Sequence, residues 1–422
     1  MNRRSFIGTM GVLSTFGVPL ASRAAKASAG HVVVVGGGYG GATAAKYLRL
    51  FSQGRLSVTL IEPNDNFVSC PLSNLVLEGS YSIDDVTRPY NELSDNHGIK
   101  LVQDTVTNID ADKKTVELAS GDTLQWDRLV VSPGIDFMWD QMEGLDETVA
   151  ESIPHAWKAG PQTVTLREQL EAMPDGGRFI LSIPQAPYRC PPGPYERVCA
   201  VASYFKKHKP GAKVHIFDAN EDVTSKGALF KAAWKEHYAD IVEYMPAYKA
   251  VEVDAKNKQL IFELGEKEKA DVINLIPPMR AGDIAHKAGL TTANDRWCEV
   301  DFLTFESVAV PNVHVLGDAI QVAPAMPKSG HMANQHGKTC AAAITALMLD
   351  GSVDNDPIYA NTCYSFVTDA QAMHVSSVHR YSPEDKTMLS VEGAGGLSEA
   401  PSDKEGRHAR AWSQRIWADV LT

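Results

Sequence analysis

Six cysteines are the residues of this sequence best able to do redox or metal chemistry. They are Cys70, Cys190, Cys199, Cys298, Cys340 and Cys363. No two of them form a Cys-x-x-Cys pair and no Cys-x-x-Cys-His is present, which argues against a zinc ribbon, a thioredoxin-type motif and covalent attachment of c-type haem to this chain. We therefore expect no metal site.

A glycine turn near the start of the chain predicts a dinucleotide-binding unit. An apolar strand runs into Gly36, Gly38 and Gly41, a helical stretch follows, and a second apolar strand ends at Glu62. Gly36 permits the tight turn, Gly38 lets the backbone approach a pyrophosphate, and Gly41 lets helix and strand pack closely. Glu62, about 20 residues beyond the glycines, would accept hydrogen bonds from ribose hydroxyls.

Two later segments resemble enzymes of the glutathione-reductase-like superfamily, which bind FAD. Residues 126–134 follow a hairpin-like stretch, and residues 311–319 form a strand that ends in Gly317-Asp318. In that superfamily the aspartate binds the ribityl or pyrophosphate portion of FAD. The three motifs occur in the expected order, which makes them more specific together than any one alone.

The pattern of strands and helices predicts an α/β fold with two Rossmann-like dinucleotide-binding domains and a small C-terminal α+β interface domain. Between the glycine turn and Asp318 the alternation of strand and helix is repeated, as expected for an inserted domain. The predicted units are a signal segment (1–29), an FAD-binding domain in two pieces (30–155 and 300–349), the inserted domain (156–299) and the interface domain (350–422).

The inserted domain lacks the glycines that a nicotinamide dinucleotide needs. After its first strand the chain has Pro184 and Pro187, and further prolines follow Cys190. Proline offers no N–H group and its ring blocks the close approach of a pyrophosphate. We therefore expect that NADH and NADPH do not bind, and that electrons come from another donor.

The start of the chain resembles a twin-arginine export signal. Arg3-Arg4 is followed by Phe6, a weakly apolar stretch and small residues that end at Ala27 or Ala29. We expect the mature chain to lie in the periplasm. Loss of the four basic residues of this segment would change the formal charge from −12 to −16. Such an acidic chain is not expected to bind nucleic acid. No apolar run reaches the roughly 18 residues that span a bilayer.

Several longer segments resemble one family, the flavoprotein subunit of flavocytochrome c sulfide dehydrogenase. They begin with Cys70-Pro-Leu-Ser-Asn and Arg189-Cys190-Pro-Pro-Gly-Pro-Tyr-Glu-Arg, and they continue with Met326-Pro-Lys-Ser-Gly and Asn361-Thr-Cys-Tyr-Ser. The resemblance extends over essentially the whole chain after the signal segment. The two cysteine segments around Cys190 and Cys363 are the most specific to the family.

The resemblance implies how the cofactor and the substrate are handled. It implies FAD joined covalently to Cys70, although Pro71 stands where the family has tyrosine. It implies a redox-active disulfide between Cys190 and Cys363 that hydrosulfide attacks. A purely structural bridge is the alternative for this pair, and a small buried hydrophobic residue is the alternative for Cys70.

The same resemblance implies roles for two further residues. Glu196 would be the base that acts on sulfide, although an acidic residue in the first turn of a helix is also favoured by the helix dipole alone. Lys328 would lie at the pyrimidine end of the flavin and stabilise its anionic reduced form; a solvated lysine is the alternative.

The predicted function is periplasmic oxidation of sulfide to sulfur or polysulfide, with electrons passed to cytochrome c. Because this sequence has no haem attachment motif, the haem must lie on a separate cytochrome c subunit. Two alternatives remain open. One is a sulfide:quinone oxidoreductase, and the other is a flavin-bearing protein that binds sulfur without turnover.

The prolines of the inserted domain generate a first prediction. NADH and NADPH at sub-millimolar concentration should leave the flavin oxidised, because nothing in residues 184–194 can replace the glycine turn. Anaerobic mixing followed by absorbance of the flavin measures this, with dithionite as the control that the flavin can be reduced. Rapid bleaching by NADH would contradict the interpretation of the inserted domain.

Overall fold

The computed structural model describes residues 28–422, so all but the last two residues of the predicted signal segment lie outside it. The first part of the described chain contains these strands and helices: β1 (His31–Val35), α1 (Tyr39–Phe51), β2 (Ser57–Ile61), β3 (Asn66–Val68), α2 (Asn74–Glu78), β4 (Thr87–Pro89), α3 (Asn91–His97), β5 (Lys100–Val102), β6 (Val106–Asp110), β7 (Thr115–Leu118), β8 (Thr123–Gln125), β9 (Arg128–Val131), β10 (Ile135–Phe137) and α4 (Val149–Ser152).

The middle and last parts continue the alternation of strand and helix. The middle part contains α5 (Pro161–Ala172), β11 (Arg178–Ile183), α6 (Gly193–His208), β12 (Lys213–Asp218), α7 (Gly227–His237), β13 (Val242–Pro246), β14 (Ala250–Asp254), β15 (Gln259–Phe262), β16 (Lys267–Lys269), β17 (Val272–Leu275), β18 (Met279–Ala281) and α8 (Asp283–Lys287). The last part contains β19 (Val313–Val315), α9 (Gly330–Met348), β20 (Ile358–Phe366), β21 (Ala372–Ser382), β22 (Thr387–Ser390), β23 (Gly396–Leu397) and α10 (Asp403–Leu421).

Two parallel sheets form the centres of two dinucleotide-type units. The first has the strand order β19-β9-β1-β2-β5, and the second has the order β13-β12-β11-β17. The valines of β1 are buried, as expected for a central parallel strand covered on both faces. Each sheet is accompanied by an antiparallel meander, β6-β7-β8 in the first unit and β14-β15-β16 in the second.

The second unit is inserted into the first, because β19 returns to the first sheet after the whole second sheet has been completed. The chain enters the insertion after β10 and leaves it after β18, and these two strands pair with each other in antiparallel fashion. A third unit consists of the antiparallel sheet β20-β21-β22, with β23 beside β21, and helix α10. The structure thus confirms the predicted α/β class, while the limits of the domains stay predictions.

Helices α1 and α9 pack against each other at the centre of the first unit. A side-chain carbon added to Gly337 of α9 would lie 2.6 Å from the carbonyl oxygen of Gly40 in α1, and 3.0 Å from the Cβ atom of Thr43. The helices therefore touch backbone to backbone at this point.

The contact at Gly337 generates a prediction of stability. Alanine favours a helix interior over glycine by about 1 kcal/mol, so Gly337→Ala would stabilise the chain if space were available. Because the methyl group would meet the backbone of α1, we instead expect a net loss of about 1–3 kcal/mol. A lower melting temperature measures this, and Ala342→Ser on the exposed face of α9 is the control. A rise in the melting temperature of Gly337→Ala would contradict the close packing.

Candidate active site

A cavity of about 780 Å³ lies where the three units meet. Its walls include residues from the first glycine turn, the loop before α6, the segment after β19 and the middle of β20. Eight of the ten residues that the sequence predicts to bind the cofactor or take part in the reaction line it: Gly36, Gly38, Glu62, Cys70, Cys190, Glu196, Asp318 and Cys363.

The glycine turn leaves one end of the cavity open to a phosphate group. Gly36 has a φ of +94°, and a side chain there would overlap the carbonyl oxygen of Ser132. A side chain on Gly41 would overlap the carbonyl oxygen of Gly36, so this glycine lets α1 pack on β1. By contrast, an added carbon on Gly38 would meet no atom within 4 Å. The backbone at the start of α1 is therefore open to an anionic ligand.

Glu62 lies on the wall at the same end of the cavity. Its Oε2 accepts a hydrogen bond of 2.6 Å from the N–H of Gly37, and its Oε1 accepts one of 3.0 Å from the N–H of Asn64. These bonds fix the carboxylate at the end of β2, on the cavity wall. This is the position from which an acidic residue can accept hydrogen bonds from a ribose.

Asp318 lies in a short 3₁₀ turn (Gly317–Ala319) directly after β19. Its Oδ1 is buried and has no hydrogen-bond partner within residues 28–422. Burial raises the pKa of this carboxyl group, and the charges of Arg189 and Lys328 oppose the rise. A buried carboxylate oxygen without a donor fits a ligand that brings hydroxyl groups to this wall. Together with the open glycine and Glu62, it fits a dinucleotide such as FAD.

Lys328 does not line the cavity, although we expected it to lie at the pyrimidine end of the flavin. Its ammonium donates to the carbonyl oxygens of Asp318 (2.9 Å) and Ile320 (2.5 Å) and lies 3.6 Å from the ring centre of Trp297. Burial lowers its pKa to about 7. The side chain therefore lies behind the cavity wall, where it fixes the backbone of the Gly317–Ala319 turn. The carbonyl oxygens of Asp318 and Ile320 hold the ammonium there, and no pattern in the sequence indicates these contacts.

Cys70 lies on the cavity wall between β3 and α2. Its sulfur accepts contacts of 3.5 Å from a guanidinium nitrogen of Arg189 and from the N–H of Ala159. Burial alone would lower the pKa of Arg189, but the charges of Cys70 and Asp318 outweigh this effect and the pKa is raised. In the sequence Arg189 is marked only as the neighbour of Cys190, and the structure adds it to the site.

Cys190 and Cys363 line the same cavity, although 173 positions separate them in the sequence. Cys190 has a φ of +58° in the loop before α6, and its N–H donates to the carbonyl oxygen of Lys328 at 2.9 Å. Burial raises the pKa of the Cys190 thiol, and the charge of Cys363 raises it further. Both are thiols in this structure, so the disulfide itself stays a prediction. Cys199, Cys298 and Cys340 are buried elsewhere.

Glu196 is buried in the first turn of α6, but its side chain accepts hydrogen bonds from residues outside that helix. Oε1 accepts from the N–H of Phe366 on β20 at 2.9 Å, and Oε2 accepts from the side-chain amide of Asn74 on α2 at 3.0 Å. Burial raises the pKa of this carboxyl group, against the hydrogen bond from Phe366 and the charge of Lys226. A favourable interaction with the helix dipole alone therefore does not explain the contacts of Glu196.

Two buried cations near Glu196 were missed in the sequence. Arg197 donates to the carbonyl oxygens of His155 (2.8 Å) and Ala156 (2.6 Å), and burial lowers its pKa to about 10. Lys226 precedes α7 and donates to the carbonyl oxygen of Cys363 at 2.9 Å. Arg197 is part of the quoted segment after Cys190, whereas no pattern in the sequence marks Lys226.

In the inserted unit, groups of the protein itself hydrogen-bond the acidic residue at the end of the second strand. Asp218, at the end of β12, is fully buried, and its Oδ2 accepts hydrogen bonds from the hydroxyls of Tyr195 (2.7 Å) and Tyr244 (3.0 Å). Its Oδ1 accepts from the N–H of Asn220 at 3.0 Å. An acidic residue at this point of a Rossmann-like unit is the one that would bind a ribose, and here side chains of the protein occupy it.

The C-terminal helix α10 closes one side of the cavity with Trp412. The rest of its apolar stripe, which contains Ile416, Trp417, Val420 and Leu421, is buried against the chain. The indole N–H of Trp417 donates to the hydroxyl of Tyr39 in α1 at 3.0 Å. Within residues 28–422, we find no helix long and apolar enough to cross a bilayer.

Three family profiles match the chain. Residues 30–159 match the pyridine nucleotide-disulphide oxidoreductase family. Residues 163–277 match the central region of the sulfide dehydrogenase (flavocytochrome c) flavoprotein chain, and residues 355–421 match the flavin-binding region of flavocytochrome c sulphide dehydrogenase. The three matches follow the three units of the structure.

Two of the similar proteins are sulfide:quinone oxidoreductases. The mitochondrial sulfide:quinone oxidoreductase of Dictyostelium discoideum is 25% identical over 299 residues, which are 68% of this chain and 64% of that protein. The structure of the sulfide:quinone oxidoreductase of Aquifex aeolicus superposes with a TM-score of 0.75 at 18% identity, and covers 93% of this chain and 91% of its own.

The flavoprotein chain of the sulfide dehydrogenase (flavocytochrome c) of Chlorobaculum thiosulfatiphilum is a short sequence. It is 62% identical over 46 residues, which are 11% of this chain and 94% of that sequence. With the matches over residues 163–277 and 355–421, this identity shows the family. The chain belongs to the family of flavoprotein chains of flavocytochrome c sulfide dehydrogenase.

Proposed function

We propose that this chain oxidises sulfide in the periplasm, with FAD bound covalently at Cys70, and passes the electrons to a cytochrome c subunit. The observation that carries the proposal is that Cys190 and Cys363 line one cavity with Gly38 and Asp318. FAD bound in this cavity would accept electrons in pairs and release them singly. The resemblance of residues 1–29 to a twin-arginine export signal supports the periplasmic location.

The residues of the chain divide the work of binding and reaction. Gly38 and the start of α1 receive the phosphates, Glu62 accepts from the ribose, and the unpartnered Oδ1 of Asp318 accepts from a hydroxyl of the ribityl chain. Cys190 and Cys363, joined as a disulfide, present an electrophilic sulfur to hydrosulfide.

Glu196 supplies the proton acceptor. Because burial raises its pKa, the carboxyl group is closer than an exposed glutamate to the pH at which dissolved sulfide gives up a proton. It lies on the wall of the cavity that contains both cysteines. In this role it takes a proton from hydrogen sulfide and leaves the hydrosulfide nucleophile next to the disulfide.

Two observations favour cytochrome c as the electron acceptor. The apolar stripe of α10 is buried against the chain and is not available as a membrane-facing surface. The formal charge of −12 suits an encounter with a basic surface, which many electron carriers of the cytochrome c class present. The haem would lie on the partner, because the sequence has no attachment motif for it.

A sulfide:quinone oxidoreductase is the second candidate, since the similarity to the Dictyostelium and Aquifex enzymes supports it. The acceptor decides between the two. Anaerobic addition of sulfide should reduce the flavin, and subsequent addition of oxidised cytochrome c should restore its absorbance. Faster reoxidation by a short-chain quinone than by cytochrome c would favour the second candidate.

The cysteine pair generates a prediction about sulfide. Cys190→Ala and Cys363→Ala should each abolish reduction of the flavin by sulfide, because no disulfide can then form, while FAD stays bound through residues outside the pair. Stopped-flow absorbance of the flavin after anaerobic mixing measures the rate. Cys199→Ala, at a buried cysteine outside the cavity, is the control and should retain the rate. Reduction of Cys190→Ala at the wild-type rate would show direct attack on the flavin.

A second prediction concerns the attachment of FAD. After acid denaturation the flavin should stay with the wild-type chain, because a bond between Cys70 and the cofactor survives unfolding. Cys70→Ser should release it into the supernatant while native binding persists through Gly38, Glu62 and Asp318. Cys298→Ser, at a cysteine outside the cavity, is the control. Yellow supernatant from the wild-type protein would exclude covalent attachment.

A further inference from the structure

Lys226 is a buried cation directly beneath one of the two reactive cysteines. Only 5% of its surface is exposed, and its ammonium donates to the carbonyl oxygen of Cys363 at 2.9 Å and to the hydroxyl of Ser365 at 2.7 Å. Within residues 28–422 no carboxylate lies within ion-pairing distance of it. A buried ammonium is costly unless a negative charge compensates it, so this arrangement calls for an anion.

The groups whose charges act on Lys226 come from four different parts of the fold. They are Cys363 on β20, Glu196 on α6, Cys190 in the loop before α6, and Glu405 on α10. Burial lowers the pKa of the ammonium, and these four groups oppose that change, with Cys363 first among them. Because the ammonium is hydrogen-bonded to the backbone of Cys363 and the charge of that residue acts on it most strongly, a thiolate at Cys363 would compensate Lys226.

The surroundings of the two cysteines are unequal. The sulfur of Cys363 accepts a hydrogen bond of 3.4 Å from the side-chain amide of Asn361, and Ser329 fixes that amide by donating to its oxygen at 2.7 Å. Burial raises the pKa of the Cys363 thiol, and Lys226 is the strongest influence against the rise. At Cys190 the charges of Cys363 and Glu196 add to the rise of the pKa, and the charges of Arg189 and Lys226 oppose it less strongly.

We propose that Lys226 is a positioning residue that makes the Cys190–Cys363 disulfide react in one direction, with attack at Cys190 and release of Cys363. The inference rests on the proposed function, because it requires that sulfide reacts with the disulfide. A thiol leaves faster when its thiolate is more stable, and Lys226 and the side-chain amide of Asn361 act most directly on the Cys363 side.

The step is balanced as a thiol–disulfide exchange. The electron pair of hydrosulfide forms a new bond to the sulfur of Cys190, and the bond between the two cysteine sulfurs breaks. Its electron pair leaves with Cys363 as a thiolate next to Lys226, and the hydrogen of hydrosulfide stays on the persulfide at Cys190. The incoming sulfur is oxidised and the disulfide is reduced by two electrons.

Removal of the charge tests the proposal through both rate and pH profile. Lys226→Met should slow reduction of the flavin by sulfide roughly 10- to 100-fold at neutral pH, as expected for loss of a charged hydrogen-bond donor near a buried anion. Lys226→Arg should recover most of the rate. In the wild type the ammonium is present below its pKa and lost above it, so the rate should fall at alkaline pH. This fall should be absent in Lys226→Met.

Lys231→Met is the matched control, because Lys231 lies in α7, the helix that begins directly after Lys226, is exposed and pairs with Asp222 at 2.6 Å. It should retain the wild-type rate and profile. A Lys226→Met variant that reduces its flavin at the wild-type rate, with the alkaline fall intact, would overturn the inference. Failure of the wild-type protein to react with sulfide would instead overturn the proposed function.

Peptide mapping of the wild-type holoprotein tests the direction without any variant. One equivalent of sulfide is added anaerobically, the protein is denatured in acid and alkylated, and the persulfide is located by mass spectrometry. The persulfide should be found on Cys190. Its recovery on Cys363 would overturn the inference even if Lys226→Met does not fold.

Discussion

Helices α1 and α9 both begin at the cavity, and the backbone contact between Gly40 and Gly337 allows them to do so. Without it the two N-terminal ends would be held apart by side chains, and Gly38 at the start of one helix could not face the same space as His331 at the start of the other. Helix N-terminal ends bring unpaired N–H groups and partial positive charge. The cavity therefore has two such ends on its wall, which suits a cofactor that carries phosphates and gains negative charge when reduced.

Charged groups on the cavity wall interact with groups from other units of the fold. Asp318 follows β19 and interacts with Arg189 from the inserted unit, while Glu196 in the inserted unit accepts from the backbone of β20. Each group would be costly to bury alone, because isolated charges lose their hydration. The three units are thus coupled through the same groups that line the site, and the cysteines from two of these units are held in place by the coupling.

The inserted unit has a Rossmann-like architecture but differs from a dinucleotide-binding unit at the loop after its first strand. The prolines after β11 lack the N–H groups that would bind a pyrophosphate. The hydroxyls of Tyr195 and Tyr244 donate hydrogen bonds to the carboxylate of Asp218. The loop that would bind a dinucleotide instead carries Cys190 to the face of the neighbouring cavity. The inserted unit thereby supplies a cysteine to the wall of a cavity that it shares with the first unit.

Local pattern was sufficient for the parts of the protein that depend on neighbours in sequence. The strand β1, the turn at Gly36 and the helix α1 follow from apolar runs and glycine spacing, because backbone sterics and burial act over a few residues. Resemblance to a family, not pattern, linked Cys190 with Cys363. Only the tertiary structure decided that Lys328 lies behind the wall and that Lys226 lies beneath Cys363. The position of a buried ammonium is set by carbonyl and hydroxyl groups that distant segments bring to it, and no local sequence pattern encodes those groups.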